Sequence, residues 1–203
     1  MTDPKEYKSF KTSIVTPVGI INYPYLHTPD TKFNDKGKFK ASLLLTKEDL
    51  ASEAGLQLKR KVLELAREYF KDDKITFKDF NHPFRDLDKL QENLEEPLKG
   101  KIELRAQTSF KPRIVDAAKQ AMSTEAIEGI KSGDFCRFIV NIYGYPKSKL
   151  SIAGLGFNLE VVQFVRVGEP IAGVSTKVNM LDDIEVKLDD LDTESSTEES
   201  FDI

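Results

Sequence analysis

The stretch KIELRAQTSFK, residues 101–111, alternates strictly between apolar and polar side chains. Ile102, Leu104, Ala106, Thr108 and Phe110 point one way, and Lys101, Glu103, Arg105, Gln107, Ser109 and Lys111 the other. Successive side chains of a strand leave opposite faces, so this period predicts a β-strand with a buried face and a basic outer face. FCRFIVNIYGY, residues 135–145, repeats the pattern. Cys136, Phe138, Val140 and Ile142 form its apolar face, while Phe135, Arg137, Ile139, Asn141, Tyr143 and Tyr145 line the other. Its partner strand is read at Phe157–Val167, joined by Pro146–Gly156, and the glycine pair in Ala153-Gly154-Leu155-Gly156 reads as part of a hairpin turn.

Working outward, Ser13–Leu26 is β-rich but broken by Pro17, Gly19 and Pro24, which predicts one bent or edge strand. A polar turn follows, and Lys38–Leu45 completes a long hairpin. Thr46, with Asp49 three residues on, is a helix N-cap signal. Leu50, Ala54, Leu58, Val62, Leu65 and Tyr69 then recur at helical spacing, which predicts a helix over 46–71. Residues 72–99 are mixed, with a helical turn near Leu87–Leu94, and a short helix is expected around Ala117–Ile130. Five or six strands around one core with an interposed helix predict a mainly β protein built on a small closed or partly open barrel.

Charge is segregated. Ten carboxylates and one lysine give residues 182–203 a charge of −9, which leaves +5 on residues 1–181 within the net −4. The acidic, Ser/Thr-rich end is expected to be disordered, with only Phe201 and Ile203 large and apolar at its tip. A basic body with a detachable acidic end points to a polyanionic partner. No apolar run approaches a membrane span and the N-terminus has no signal-peptide stretch, so a cytoplasmic location and no membrane partner are expected. The single cysteine, Cys136, reads as an inert core thiol, since it has no disulfide partner and supplies too few ligands for a zinc site.

Catalysis finds little support. His27 and His82 fall in unrelated turn-like segments and read as surface residues, and no phosphate-binding or hydrolase motif is present. Asp79, Asp86 and Asp88 read as solvated loop carboxylates. No enzyme, metal or cofactor is expected, although the abundant acids leave a metal-dependent nuclease open.

Binding single strands without sequence preference needs cations along the phosphates and aromatic faces for the bases. Tyr23, Tyr25, Phe33 and Phe39 are interleaved with Lys32, Lys36, Lys38 and Lys40. Arg105, Lys111 and Arg113 surround Phe110, and Arg137 precedes Tyr143, Tyr145, Lys147 and Lys149. By alternation Leu104, Phe110, Phe138 and Phe157 are core, whereas Tyr143 and Tyr145 share the outer face with Arg137. Tyr23 and Tyr25 remain open between groove and packing roles, and Lys36, Lys38 and Lys40 between binding phosphates and keeping a strand edge soluble. The acidic end reads either as a weak DNA mimic that occupies the groove and then frees itself for other proteins, or as a solubilising tail. A protein-interaction module is the alternative for the whole chain.

Several stretches resemble the single-stranded DNA-binding proteins of tailed bacteriophages. Thr16-Pro17, Asn22-Tyr23-Pro24-Tyr25-Leu26 and Gly37-Lys38-Phe39-Lys40-Ala41 resemble that family's first hairpin. Pro83-Phe84-Arg85-Asp86, Gly100-Lys101-Ile102 and Lys111-Pro112-Arg113-Ile114-Val115-Asp116 match its middle region. Ser132-Gly133 through Asn141-Ile142-Tyr143-Gly144-Tyr145, then Gly156-Phe157-Asn158-Leu159-Glu160-Val161-Val162-Gln163, match its last hairpin. The resemblance implies an OB-fold-like five-stranded Greek-key barrel over residues 1–181 with a helical insertion at about 46–99, and a disordered acidic tail at 182–203. It implies sequence-independent coating of single-stranded DNA in phage replication and recombination, in the cytoplasm of an infected bacterium. Tyr143, Tyr145, Arg137 and the Arg105, Lys111 and Arg113 face become groove residues by carry-over. Asp189, Asp190, Asp192, Glu198, Glu199, Phe201, Asp202 and Ile203 are expected to recruit replication proteins such as a DNA polymerase. A homodimer stays open. Phe201 stands third from the end, a departure from family members that end in phenylalanine.

Overall fold

Period-two strands with one apolar face must cover that face, and here they do so by curling into a ring. The computed structural model describes residues 4, 6–32, 35–94, 96–149 and 151–171. The tail expectations at 182–203, and Phe33, lie outside them. In chain order the elements are β1 (Lys8–Val15), β2 (Gly19–Asp30), β3 (Lys38–Leu45), α1 (Lys47–Ala51), α2 (Glu53–Phe70), β4 (Phe84–Asp86) and α3 (Leu87–Leu90). There follow β5 (Ile102–Thr108), β6 (Arg113–Val115), α4 (Thr124–Glu128), β7 (Phe135–Tyr145) and β8 (Gly154–Arg166).

Antiparallel pairing joins β2 to β3 and β3 to β5, the latter in unbroken register from Phe39 opposite Thr108 to Leu45 opposite Ile102. The β7–β8 hairpin then closes the ring on both sides. Ala106 and Gln107 of β5 pair in parallel with Phe157 and Asn158 of β8, and Gly19 of β2 pairs with Cys136 of β7. Numbered along the chain, the five ring strands pair in the order one, two, three, five, four and back to one, the OB-fold-like Greek key. β1, β4 and β6 add to β7, β5 and β8 respectively. Leu43, Leu104, Phe138, Val140, Ile142, Phe157 and Leu159 fill the interior. None of the described helices is long and apolar enough to cross a membrane.

The expected single strand at Ser13–Leu26 is two strands. Thr16 and Pro17 are buried at the corner, where Thr16 N donates to Phe138 O at 2.9 Å and Phe138 N donates to Thr16 Oγ1 at 2.9 Å. Proline has no N–H to continue the ladder, so the chain turns there. β1 stays on β7 while β2 crosses to β3. The helix expected over 117–130 shrinks to α4, because Lys119 is left-handed (φ 65°) and Asp116 N donates to Gln120 O in a tight turn. The Gly154–Gly156 segment is the start of β8 rather than a turn.

The helix expected at 46–71 breaks into two at Ser52. Thr46 and Asp49 make a reciprocal capping box at 3.0 and 2.7 Å, and Ser52 Oγ then accepts from Gly55 N to start α2. Gly55 sits hard against the preceding turn, since a Cβ there would lie 2.4 Å from Asp49 O. α2 buries Leu58, Val62, Leu65, Ala66, Tyr69 and Phe70 against the barrel. Burial is worth about 1.5–3 kcal/mol for each large apolar side chain, which outweighs a helix break.

Cys136 is fully buried, and burial pushes its thiol up to about 12. Gly55→Ala should destabilise the protein by about 1–3 kcal/mol in urea unfolding, despite alanine's better helix propensity, because the methyl meets backbone. Thr46→Ala should cost about 1 kcal/mol. A stabilised Gly55→Ala protein would contradict this packing.

Candidate nucleic-acid interface

Strand register decides which outward side chains meet. Tyr25 pairs with Lys40, Lys40 with Gln107, Gln107 with Asn158, and Asn158 with Asn141, which makes one row across five strands. The neighbouring row carries Ser42 opposite Arg105, and Gly156 opposite Tyr143. Apart from Asn141, these rows floor an open groove of about 1460 Å³ that also takes in Tyr7, Tyr23, Lys32, Lys38, Arg85, Lys89 and Tyr145.

Five tyrosines thus share one surface. Tyr143 and Tyr145 lie across β8, and two glycines make room for them. A Cβ at Gly156 would fall 2.5 Å from the Tyr143 ring, and one at Gly154 would fall 2.7 Å from the Tyr145 hydroxyl. Tyr23 adopts a left-handed backbone (φ 48°), and its N–H donates to Ser132 Oγ at 3.0 Å. Tyr23 is 66% exposed and Tyr25 39%. Lys40 Nζ stands 4.9 Å from the centre of the Tyr25 ring and pairs with Asp30. A hydrogen bond from Lys40 holds the Asp30 carboxyl below the usual range, so that acid stays ionised. Burial raises the Tyr145 phenol, with Tyr143 adding to the shift.

The groove carries six cations (Lys32, Lys38, Lys40, Arg85, Lys89, Arg105) against three carboxylates (Asp30, Asp86, Glu103), so its field is positive. Glu103 lies 3.8 Å from Arg85 and 4.0 Å from Arg105, and Asp86 lies 3.1 Å from Lys89. Each carboxylate therefore orients a cation at the groove wall.

Of the residues expected from sequence, Tyr23, Tyr25, Lys38, Lys40, Arg105, Tyr143 and Tyr145 come together here. Lys36, Lys111, Arg113, Lys147 and Lys149 are exposed but lie off the groove lining. Arg137 is also outside it, and its Nε donates to Gln163 Oε1 at 2.7 Å across the β7–β8 pair. Phe110 is not core. β5 ends at Thr108, the alternation stops, and the ring emerges 82% exposed. Tyr7, Arg85, Lys89 and Asn158 also line the groove, although the sequence alone does not place them there. Tyr7 had a signal, an aromatic beside Lys8, but Arg85 and Lys89 reach the groove only because β4 pairs with β5.

His82 is half-buried at the groove rather than fully exposed. It packs among Phe77, Phe80 and Phe84 at ring separations of 5.3, 5.8 and 5.9 Å. His27 instead pairs with Glu128 at 2.9 Å. Among the described residues, no group of three or more His, Cys, Asp or Glu side chains is placed to hold a metal ion.

The barrel has OB-fold-like connectivity, with groove cations on its second and third ring strands and groove tyrosines on its first and fourth. Residues 12–193 match the family described as the ssDNA-binding protein of Enterobacter phage Enc34, and the chain belongs to that family. The single-stranded DNA-binding protein of bacteriophage Enc34, solved in complex with ssDNA, is similar in fold. Its TM-score is 0.65 at 16% identity, over 85% of this chain and 98% of that one. The single-stranded DNA-binding protein gp2.5 of bacteriophage T7 is similar at a TM-score of 0.58 and 12% identity, over 87% and 98% of the two chains. No curated protein sequence matches.

Burial holds the His82 pKa below its ordinary value, so the folded protein favours the neutral ring. The unfolded chain then binds more protons, and this contribution to stability is complete above about pH 6.5 and lost as pH falls toward the depressed value. Urea midpoints measured between about pH 7 and 5.5 should fall with pH, and less steeply in His82→Phe. Equal slopes would remove His82 as the cause.

Proposed function

We propose that this chain binds single-stranded DNA along the groove over β3 and β5, without sequence preference. The observation that carries this reading is that tyrosine rings and a surplus of cations share one face of the barrel. Rings offer stacking surfaces that any base accepts, and cations follow phosphates; neither reads base edges. Family membership and the likeness to an ssDNA complex support the same assignment.

Finer roles follow from this reading. Coating of single strands suits phage DNA replication and recombination in the cytoplasm of an infected bacterium. The −9 segment at 182–203 is the chain's own polyanion. It suits competition for the positive groove, and once displaced it suits recruitment of replication proteins such as a polymerase through Phe201 and Ile203.

Oligo-dT titrated at several salt concentrations should bind with log K falling against log salt at a slope of about −2, for roughly three net charges facing the strand. Salt-indifferent binding would refute the groove. Tyr143→Ala or Tyr145→Ala should cost about 1–3 kcal/mol of affinity each, with the thermal melt little changed. Loss of the oligonucleotide in magnesium would instead favour a nuclease.

Gly156→Ala should weaken oligo-dT binding by a comparable amount, because the methyl displaces the Tyr143 ring. Removing residues 182–203 should tighten binding, and unchanged affinity would end the competition model.

A further inference from the structure

We infer that Tyr7 is a nucleobase-stacking residue that lengthens the groove by one position at its Tyr143–Tyr145 end, and that α2 holds it there through Tyr69. This rests on the groove being the single-strand site. Tyr7 precedes β1, whose Lys8 and Ser9 pair with Gly144 and Tyr143 of β7. The Tyr7 ring stacks on Tyr143 at 5.2 Å and 25°, and Tyr143 in turn meets Tyr145 at 6.2 Å and 51°. Three rings therefore follow one another, and Tyr7 is the outermost, 62% exposed within the groove lining. One of its faces is spent on Tyr143. The other is open to a base, and stacking there continues a series already begun by the protein.

Two contacts fix this segment. Tyr69 Oη donates to Glu6 O at 2.6 Å, and Lys8 pairs with Glu68. Tyr69 gets close enough because residue 144 is glycine, where a Cβ would lie 2.7 Å from its ring. A preordered ring loses little freedom when a base arrives, which separates Tyr7 from an aromatic on a loose arm. The family match begins at residue 12, so Tyr7 lies outside the matched residues. Tyr7 is a contact residue and Tyr69 a positioning residue.

The test uses the full chain with fluorescently labelled oligo-dT, and a second oligonucleotide carrying 5-iododeoxyuridine for photo-crosslinking. Tyr7→Ala should weaken binding roughly five- to tenfold, and Tyr7→Phe, which restores a ring, should recover most of that loss. In the unaltered protein the cross-link should map to the peptide containing Tyr7. Tyr69→Phe keeps the ring but drops the hydrogen bond, and should reduce that cross-link while the thermal melt stays close to that of the parent. Tyr7→Ala binding as tightly as the parent would overturn the inference and leave the groove reading intact. Tighter binding would overturn it too, by making Tyr7 a cover that DNA displaces from Tyr143. Failure of the unaltered chain to bind oligo-dT would instead remove the groove reading, and this inference with it.

Discussion

Both edges of β7 are occupied, and the rest of the protein depends on that double pairing. Along one edge β8 runs antiparallel from Phe135 to Tyr145. The other edge is divided, with residues 135 and 136 on β2 and residues 139–144 on β1. The short β2 contact closes the ring, and the β1 contact draws the N-terminal segment to the same end as Tyr143. Because side chains alternate, one strand supplies both the apolar plug of Cys136, Phe138, Val140 and Ile142 and the ring surface of Tyr143 and Tyr145. Core and interface are two faces of one element, so shifting its register by one residue would bury the tyrosines and expose the phenylalanine.

Glycine is the second constraint. Gly156 and Gly154 leave room for tyrosine rings on the groove face, and Gly144 does the same for Tyr69 on the helix side. The Tyr143 and Tyr145 rings lie across β8 where that strand has no side chain to meet them. The interface is therefore built as much from missing methyl groups as from tyrosines. The groove's carboxylates act in a similar supporting way. Asp30, Asp86 and Glu103 sit beside lysines and arginines, fixing long side chains while leaving the net field positive.

Much of this was legible in particular residues. Alternation at 101–108 and 135–145 identified buried and outer faces that the structure keeps, and the Thr46 and Asp49 cap marked the helix start to the residue. Tyr23, Tyr25, Lys38, Lys40, Arg105, Tyr143 and Tyr145 were recognisable as aromatic and basic residues on strand faces, and they meet. Misreadings came where a local pattern outran its element. Phe110 continued the alternation past the last paired residue of β5, and the glycines at 154 and 156 carried turn chemistry inside a strand. Arg137 shared a face with the tyrosines, but its guanidinium is engaged by Gln163 of the adjacent strand.

By itself the sequence determined the strands' inward and outward faces, the segregation of charge and the kinds of side chain available to meet a polyanion. Those are properties of neighbours along the chain, fixed by the two-residue period of a strand and by composition. Only the tertiary structure decided which outward residues share a groove, because that depends on pairing partners far apart in sequence. Gln107 reaches Asn158 through a parallel pairing that closes the ring, Arg85 enters through β4, and Tyr7 is carried to Tyr143 by β1 and held by Tyr69.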